Sequence, residues 1–350
     1  MMIYQGRVKA CVLYIKKTAD ASRESDEAHR LLSLFIGWRE ILCLIVLPRT
    51  GKEFHAMKRT VFTGCATAMI TPYTESGIDY ETMAALIDRQ IQGGVSALVI
   101  SGTPGEAATL SPEERRSLLR FSIGHTAGRV PVIAGIGGND TELSLRHARD
   151  AEAAGADAVL LSTPYYNKAT ERGLFQHFTH VADCIGLPVI VYNVPGRTGI
   201  ACTAELYARL AEHPGICGVK EASGDVSLVS RTIRLCGDAL TVWSGNDDQT
   251  LPIMALGGHG VISVASNVVP QEMSELCAAL LSGDLPGARG LHFRLAPLFD
   301  ALFCQVNPIP VKTALYLLGL APLSFRLPLC AMDDPHKARL TDALRELHLI

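Results

Sequence analysis

The sequence predicts an α/β chain folded as a single (β/α)8 TIM barrel with additional helices at its C-terminal end. Three observations predict it. From Val61 onward, short β-branched runs alternate with longer stretches of helical periodicity, the pattern of a parallel sheet covered by helices. The runs number eight, at residues 61–70, 95–101, 130–135, 157–162, 187–193, 216–220, 240–244 and 260–265. The length of 350 residues accommodates one barrel of about 250 residues plus appendages. An open doubly wound sheet would give the same alternation, so the barrel rests on the count of eight.

Residues 1–57 differ in character from the rest of the chain. Lys16, Lys17, Arg23, Glu24 and Asp26 make a charged stretch, an apolar run extends from Leu31 to Leu47, and Pro48 comes next. The charges do not sit directly before an apolar core that ends in small residues, as a secretory signal requires. Acidic residues are too frequent for a transit peptide. The apolar run is broken by Arg39 and Glu40, short of the roughly 20 uninterrupted residues that span a bilayer. This segment is expected to be a poorly ordered or non-native extension, with Met57 as the working start, and no membrane association is expected.

Residues 58–284 hold the eight repeats. Asp79 to Gly93 and Thr141 to Gly155 are amphipathic helical segments, and Ser111-Pro112-Glu113-Glu114 carries start signals: a serine N-cap, proline at the first helical position and acids in the first turn. Residues 285–350 continue as helices without another strand.

Composition narrows the function. With 48% hydrophobic and 19% charged residues the chain can bury a large core, and a net charge of −3 without a basic stripe gives nucleic acid nothing to bind. A small, neutral-to-acidic substrate fits better. Ten cysteines occur without a paired or histidine-linked metal spacing, which points to reduced thiols in a cytoplasmic protein, not to a disulfide framework or a zinc site.

In a barrel, chemistry sits where strands run into loops at the C-terminal face. Strand two runs into Gly102-Thr103-Pro104-Gly105-Glu106, strand four into Thr163-Pro164-Tyr165-Tyr166-Asn167, strand five into Tyr192-Asn193-Val194-Pro195-Gly196-Arg197, and strand six ends in Lys220-Glu221. Lys220 follows an apolar run, so burial would favour its neutral amine, the form that condenses with a carbonyl group. A lysine snorkelling to solvent at a strand end is the plain alternative. Thr103, Tyr166 and Tyr192 supply hydroxyls that could relay protons, although tyrosines at barrel rims are often packing residues. Arg197 could hold a carboxylate by two hydrogen bonds or stay a solvated charge. The glycines at 102–105 and 135–138 match neither a P-loop nor a dinucleotide fingerprint, and tight strand-to-helix turns need glycine anyway.

Five motifs together resemble the dihydrodipicolinate synthase and N-acetylneuraminate lyase family of class I aldolases: residues 102–106, 163–167, 192–199, Gly218-Val219-Lys220-Glu221-Ala222-Ser223-Gly224, and Asn307-Pro308-Ile309-Pro310-Val311-Lys312. The resemblance runs from about Phe62 to the C-terminus. It implies a lyase in which Lys220 forms a Schiff base with pyruvate, the enamine attacks L-aspartate 4-semialdehyde, and cyclisation gives 4-hydroxy-tetrahydrodipicolinate, a step of lysine and diaminopimelate biosynthesis. It implies Tyr192 as general acid/base, Thr103 as relay and Tyr166 as a shuttle reaching into a neighbouring subunit. It also implies Arg197, Pro104, Gly245 and Ile262 as substrate-binding positions, no metal or organic cofactor, and a homo-oligomer, dimer or tetramer.

Two departures stand out. Pro104 replaces a threonine that the family uses on the pyruvate carboxylate, removing both a hydroxyl and an N–H donor. A paralogous pyruvate- or 2-oxo-acid-dependent aldolase or dehydratase is therefore the alternative to the synthase. Where lysine-inhibited relatives carry a serine, two histidines and a glutamate, this chain has Ala107, Pro112, Arg115 and Leu143, although Asn139 and Tyr165 match, so weak or absent lysine inhibition is expected. A barrel that has lost catalysis, or a phosphosugar isomerase, is compatible with fold alone. The joint presence of Lys220, Tyr192, Tyr166 and Thr103 argues against the first, and the unconvincing glycines after strands seven and eight argue against the second.

Overall fold

The computed structural model describes residues 60–350, and the extension expected over residues 1–57 lies outside them. Eight parallel strands close into a barrel: β1 Gly64–Ala68, β2 Ala97–Ile100, β3 Val132–Gly135, β4 Ala158–Ser162, β5 Val189–Asn193, β6 Ile216–Glu221, β7 Thr241–Ser244 and β8 Gly260–Ser263. Each falls inside a run expected from the sequence except β6, which continues one residue further, to Glu221. Neighbours in sequence are neighbours in the barrel, and β1 pairs with β8 to close it.

The covering helices are α1 Tyr80–Gln92, α2 Pro112–Thr126, α3 Thr141–Ala154, α4 Glu171–Asp183, α5 Ala204–Ala211, α6 Val226–Cys236, α7 Thr250–Ala255 and α8 Pro270–Ser282. Their ends obey local chemistry. Asp79 caps α1 through the Thr82 N–H at 3.0 Å. Ser111 and Glu114 of α2 form a reciprocal capping box, with Pro112 at the first position. Gly155, at φ 87°, ends α3 in the left-handed conformation that glycine adopts without strain. Three further helices, α9 Leu285–Leu302, α10 Ile309–Leu317 and α11 Asp334–Glu346, come after the barrel.

Two apolar layers build the molecule. Inside the barrel lie Ala66, Val99, Ile133, Leu160, Ile190 and Ile262, with Trp243 stacked on Phe62 at 4.8 Å. Outward-facing strand residues such as Leu98, Val191 and Val219 pack on the helices. Alternation along β5 therefore turns Ile190 and Tyr192 inward and Val191 outward. Strand β6 breaks that rule. Its register with β5 steps from Val189↔Ile216 to Ile190↔Gly218, leaving Cys217 as a bulged extra residue. Strict alternation from the inward Cys217 would turn Lys220 outward, and the bulge turns it in. Gly218 permits the close approach, since a Cβ there would lie 2.4 Å from the Trp243 ring and 2.5 Å from the Thr241 carbonyl.

Candidate active site

Tyr192 and Lys220 are paired residues on adjacent strands, and the Lys220 Nζ lies over the Tyr192 ring, 4.4 Å from its centre. Lys220 is buried, and burial pushes its amine down to about 8; the Asp247 carboxylate opposes that shift and Arg197 adds to it. The reactive form is thus far better populated near neutral pH than in an ordinary lysine. Room for the amine stem comes from Gly245, where a Cβ would sit 3.1 Å from Lys220 Cε.

Burial also raises the Tyr192 phenol, while the Arg197 charge and the neighbouring Thr103 hydroxyl pull it back. Arg197 sits in a single helical turn, Pro195–Thr198, directly after β5. One of its N–H groups donates to the Asn307 carbonyl at 2.9 Å, which leaves other donors of the fork for a ligand. Thr103, Tyr192, Arg197 and Lys220 share one cavity of about 520 Å³ at the C-terminal end of the strands. That arrangement can activate a carbonyl covalently, move a proton beside it and hold an anionic group.

Behind this group stand carboxylates that sequence reasoning left without a role. Glu221 points outward from β6 and accepts hydrogen bonds from the Asn193 side-chain amide at 3.1 Å, the Tyr207 hydroxyl at 2.7 Å and the Ser223 N–H at 2.7 Å. It ties the ends of β5 and β6 together. Asp247 accepts from the Ser263 hydroxyl at 2.5 Å and from the Val264 and Ala265 N–H groups at 3.1 and 3.0 Å. Burial raises its pKa against those bonds and against the Lys220 charge. A signal for Asp247 was its position two residues after Gly245, at the end of a barrel strand.

Residues 61–347 match the family described as the dihydrodipicolinate synthetase family. The chain belongs to the dihydrodipicolinate synthetase family. It is 47% identical over 290 residues to a 4-hydroxy-tetrahydrodipicolinate synthase from Thermodesulfovibrio yellowstonii, covering 83% of this chain and 100% of that one. A dihydrodipicolinate synthase structure from Thermotoga maritima superposes with a TM-score of 0.82 at 42% identity, covering 83% of this chain and 100% of that chain. An Acinetobacter baumannii dihydrodipicolinate synthase complexed with pyruvate superposes at 0.81 with 40% identity and the same coverage.

Of the positions expected in this synthetase-family chain to serve the chemistry, Lys220, Tyr192, Thr103 and Arg197 converge on the cavity. Tyr166 does not. It is 89% exposed, adopts a left-handed φ of 70° and lies off the cavity wall. Pro104, Gly245 and Ile262 are buried beside the cavity and do not line it: Gly245 backs Lys220, and Ile262 lies in the barrel interior. Among the described residues, no cluster of His, Cys, Asp and Glu could hold a metal ion, and no helix is long and apolar enough to cross a membrane.

Proposed function

We propose that this chain is a cytoplasmic, cofactor-independent class I aldolase-type lyase that condenses pyruvate with L-aspartate 4-semialdehyde to 4-hydroxy-tetrahydrodipicolinate. The observation that carries the reading is the buried Lys220 amine over Tyr192, facing a cavity it shares with Thr103 and Arg197. The amine adds to the pyruvate carbonyl carbon, and loss of water gives the imine. Loss of a methyl proton gives an enamine, which attacks the aldehyde. The product's amino group then displaces Lys220 from the imine carbon and closes the ring. Tyr192 gives and takes the protons, with Thr103 as relay, and Arg197 holds the semialdehyde carboxylate. On this reading the Tyr166 phenol serves the cavity of a neighbouring copy, in a dimer or a tetramer.

Borohydride reduction in the presence of pyruvate is expected to leave a reduced pyruvyl group on Lys220, read by mass spectrometry. An unmodified Lys220 overturns the proposal. A coupled assay with aspartate semialdehyde must also show turnover. Pro104 favours a second reading, a related aldolase taking another 2-oxo acid, because it offers no N–H or hydroxyl to a carboxylate. Trapping with competing 2-oxo acids separates the two, pyruvate being the preferred partner if the first reading holds.

The rate of imine formation should rise about tenfold per pH unit between pH 6 and 7 and level off above about 8, because only the neutral amine attacks. A flat profile over that range would show that the lysine titrates elsewhere.

Lysine is expected to inhibit weakly or not at all. The Arg115 guanidinium borders the same cavity, buried and bonded to the Gly135 and Ala107 carbonyls at 2.6 and 2.9 Å, so a cationic ligand meets a fixed positive charge there. Strong inhibition at sub-millimolar lysine sinks this expectation.

A further inference from the structure

The helical region after the barrel bonds to Arg197 and to the turn that carries Thr103. At the start of α10, the Asn307 carbonyl takes the Arg197 guanidinium. One turn further, Lys312 Nζ meets Glu106 Oε1 at 2.5 Å, with side chains 0% and 1% exposed and 206 residues apart in sequence. The second Glu106 oxygen accepts from the Arg326 N–H at 3.1 Å, and the Arg326 side chain grips the Thr109 carbonyl at 2.9 Å and the Glu114 carboxylate. Lys312 and Arg326 both lie over the Tyr73 ring, at 4.5 and 4.4 Å.

Glu106 stands three residues after Thr103 in the turn that leaves β2, and its backbone is left-handed, at φ 51°. A non-glycine residue holds that conformation only where its surroundings over-determine it. The other side of the turn is held less specifically, by the Thr71 hydroxyl on the Gly105 carbonyl at 2.8 Å. Buried ion pairs of this kind are often replaceable by apolar residues without loss of stability, so what this one adds is directional geometry.

We propose that Glu106 and Lys312 are positioning residues for the condensation: their ion pair fixes the turn after β2, in which the Glu106 N–H donates to the Thr103 carbonyl at 3.1 Å, and thereby holds the Thr103 side chain in the cavity beside Tyr192. The proposal rests on the lyase reading: Lys312 lies off the cavity, Glu106 borders it with both carboxylate oxygens already bonded, to Lys312 and to the Arg326 N–H, and the pair acts through Thr103. It gives the C-terminal helices a task, since one segment bears on both Arg197 and the turn that carries Thr103.

The test is a cycle built on Thr103→Val and on Glu106→Gln combined with Lys312→Met, which removes both charges together. Each arm is expected to lower kcat by roughly 100-fold, the scale of a lost proton relay or an ångström of misplacement. Together they should cost no more than about threefold beyond either alone, because both remove one interaction. Losses that multiply, or an unchanged kcat in the doubly altered chain, overturn the proposal. Should that chain fail to fold, Glu106→Gln alone goes through the same cycle with the same criteria. A crystal structure supplies a readout independent of turnover: Thr103 displaced from Tyr192 supports the inference, and Thr103 in place overturns it. Pyruvate trapping in the unaltered protein decides the lyase reading separately.

Discussion

Replacing Lys220 with methionine is expected to lower kcat by roughly 10⁶-fold, the scale on which removal of a covalent nucleophile is felt, while leaving the barrel at least as stable as before. Among the described residues, no other lysine lines the cavity. The other buried lysine among the described residues, Lys312, is held in an ion pair with Glu106 and lies off the cavity. The stability half comes from the sign of the pKa shift. A lysine whose folded value falls from 10.5 to about 8 binds its proton more weakly folded than unfolded. The resulting penalty is fully present below pH 8 and vanishes as pH rises through 10.5. At neutral pH it is on the order of 3 kcal/mol, and methionine removes it with little change of shape. Thermal melts at pH 7 should show an equal or higher midpoint, and mass spectrometry after borohydride should show no pyruvyl adduct. Turnover within tenfold of the parent would end the covalent route.

Much of this was legible in the sequence, for reasons that differ between elements. The eight strands could be read because a parallel barrel strand is buried on both faces and leaves a continuous apolar run. The cap of α2 could be read because Ser111 acts on an N–H group three residues away. The strand-end motifs placed Thr103, Tyr192, Arg197 and Lys220 at one end of the barrel, and the fold gathers those four into one cavity.

What stayed hidden was contact between distant residues and phase within a strand. Lys220 faces inward only through the bulge at Cys217, and no periodicity in Ile216-Cys217-Gly218-Val219 announces an added residue; Gly218 was the local hint. Glu106 and Lys312 stand in two of the family motifs, yet nothing in either motif indicates that they meet across 206 residues. Tyr166 shows the converse case: its motif position was legible, but its exposed side chain lies away from this chain's own cavity.

The buried pair itself yields the second large effect, on stability. Lys312→Met alone is expected to destabilise the protein by about 3–5 kcal/mol, because it strands the Glu106 carboxylate in a dry turn with only the Arg326 N–H as donor. At roughly 2–4 °C per kcal/mol for a domain of this size, the melting midpoint should fall by about 10 °C. Glu106→Gln in the same chain should restore most of that loss, since an amide costs far less to bury than an unpaired charge. The two substitutions are therefore non-additive for stability, with the double variant more stable than Lys312→Met. If Lys312→Met melts with the parent, the carboxylate is not held in a dry site, and the geometry assigned to the turn after β2 loses its cause. If Glu106→Gln fails to rescue, the penalty arises from packing of the lysine stem against Tyr73 and Phe325 and not from charge.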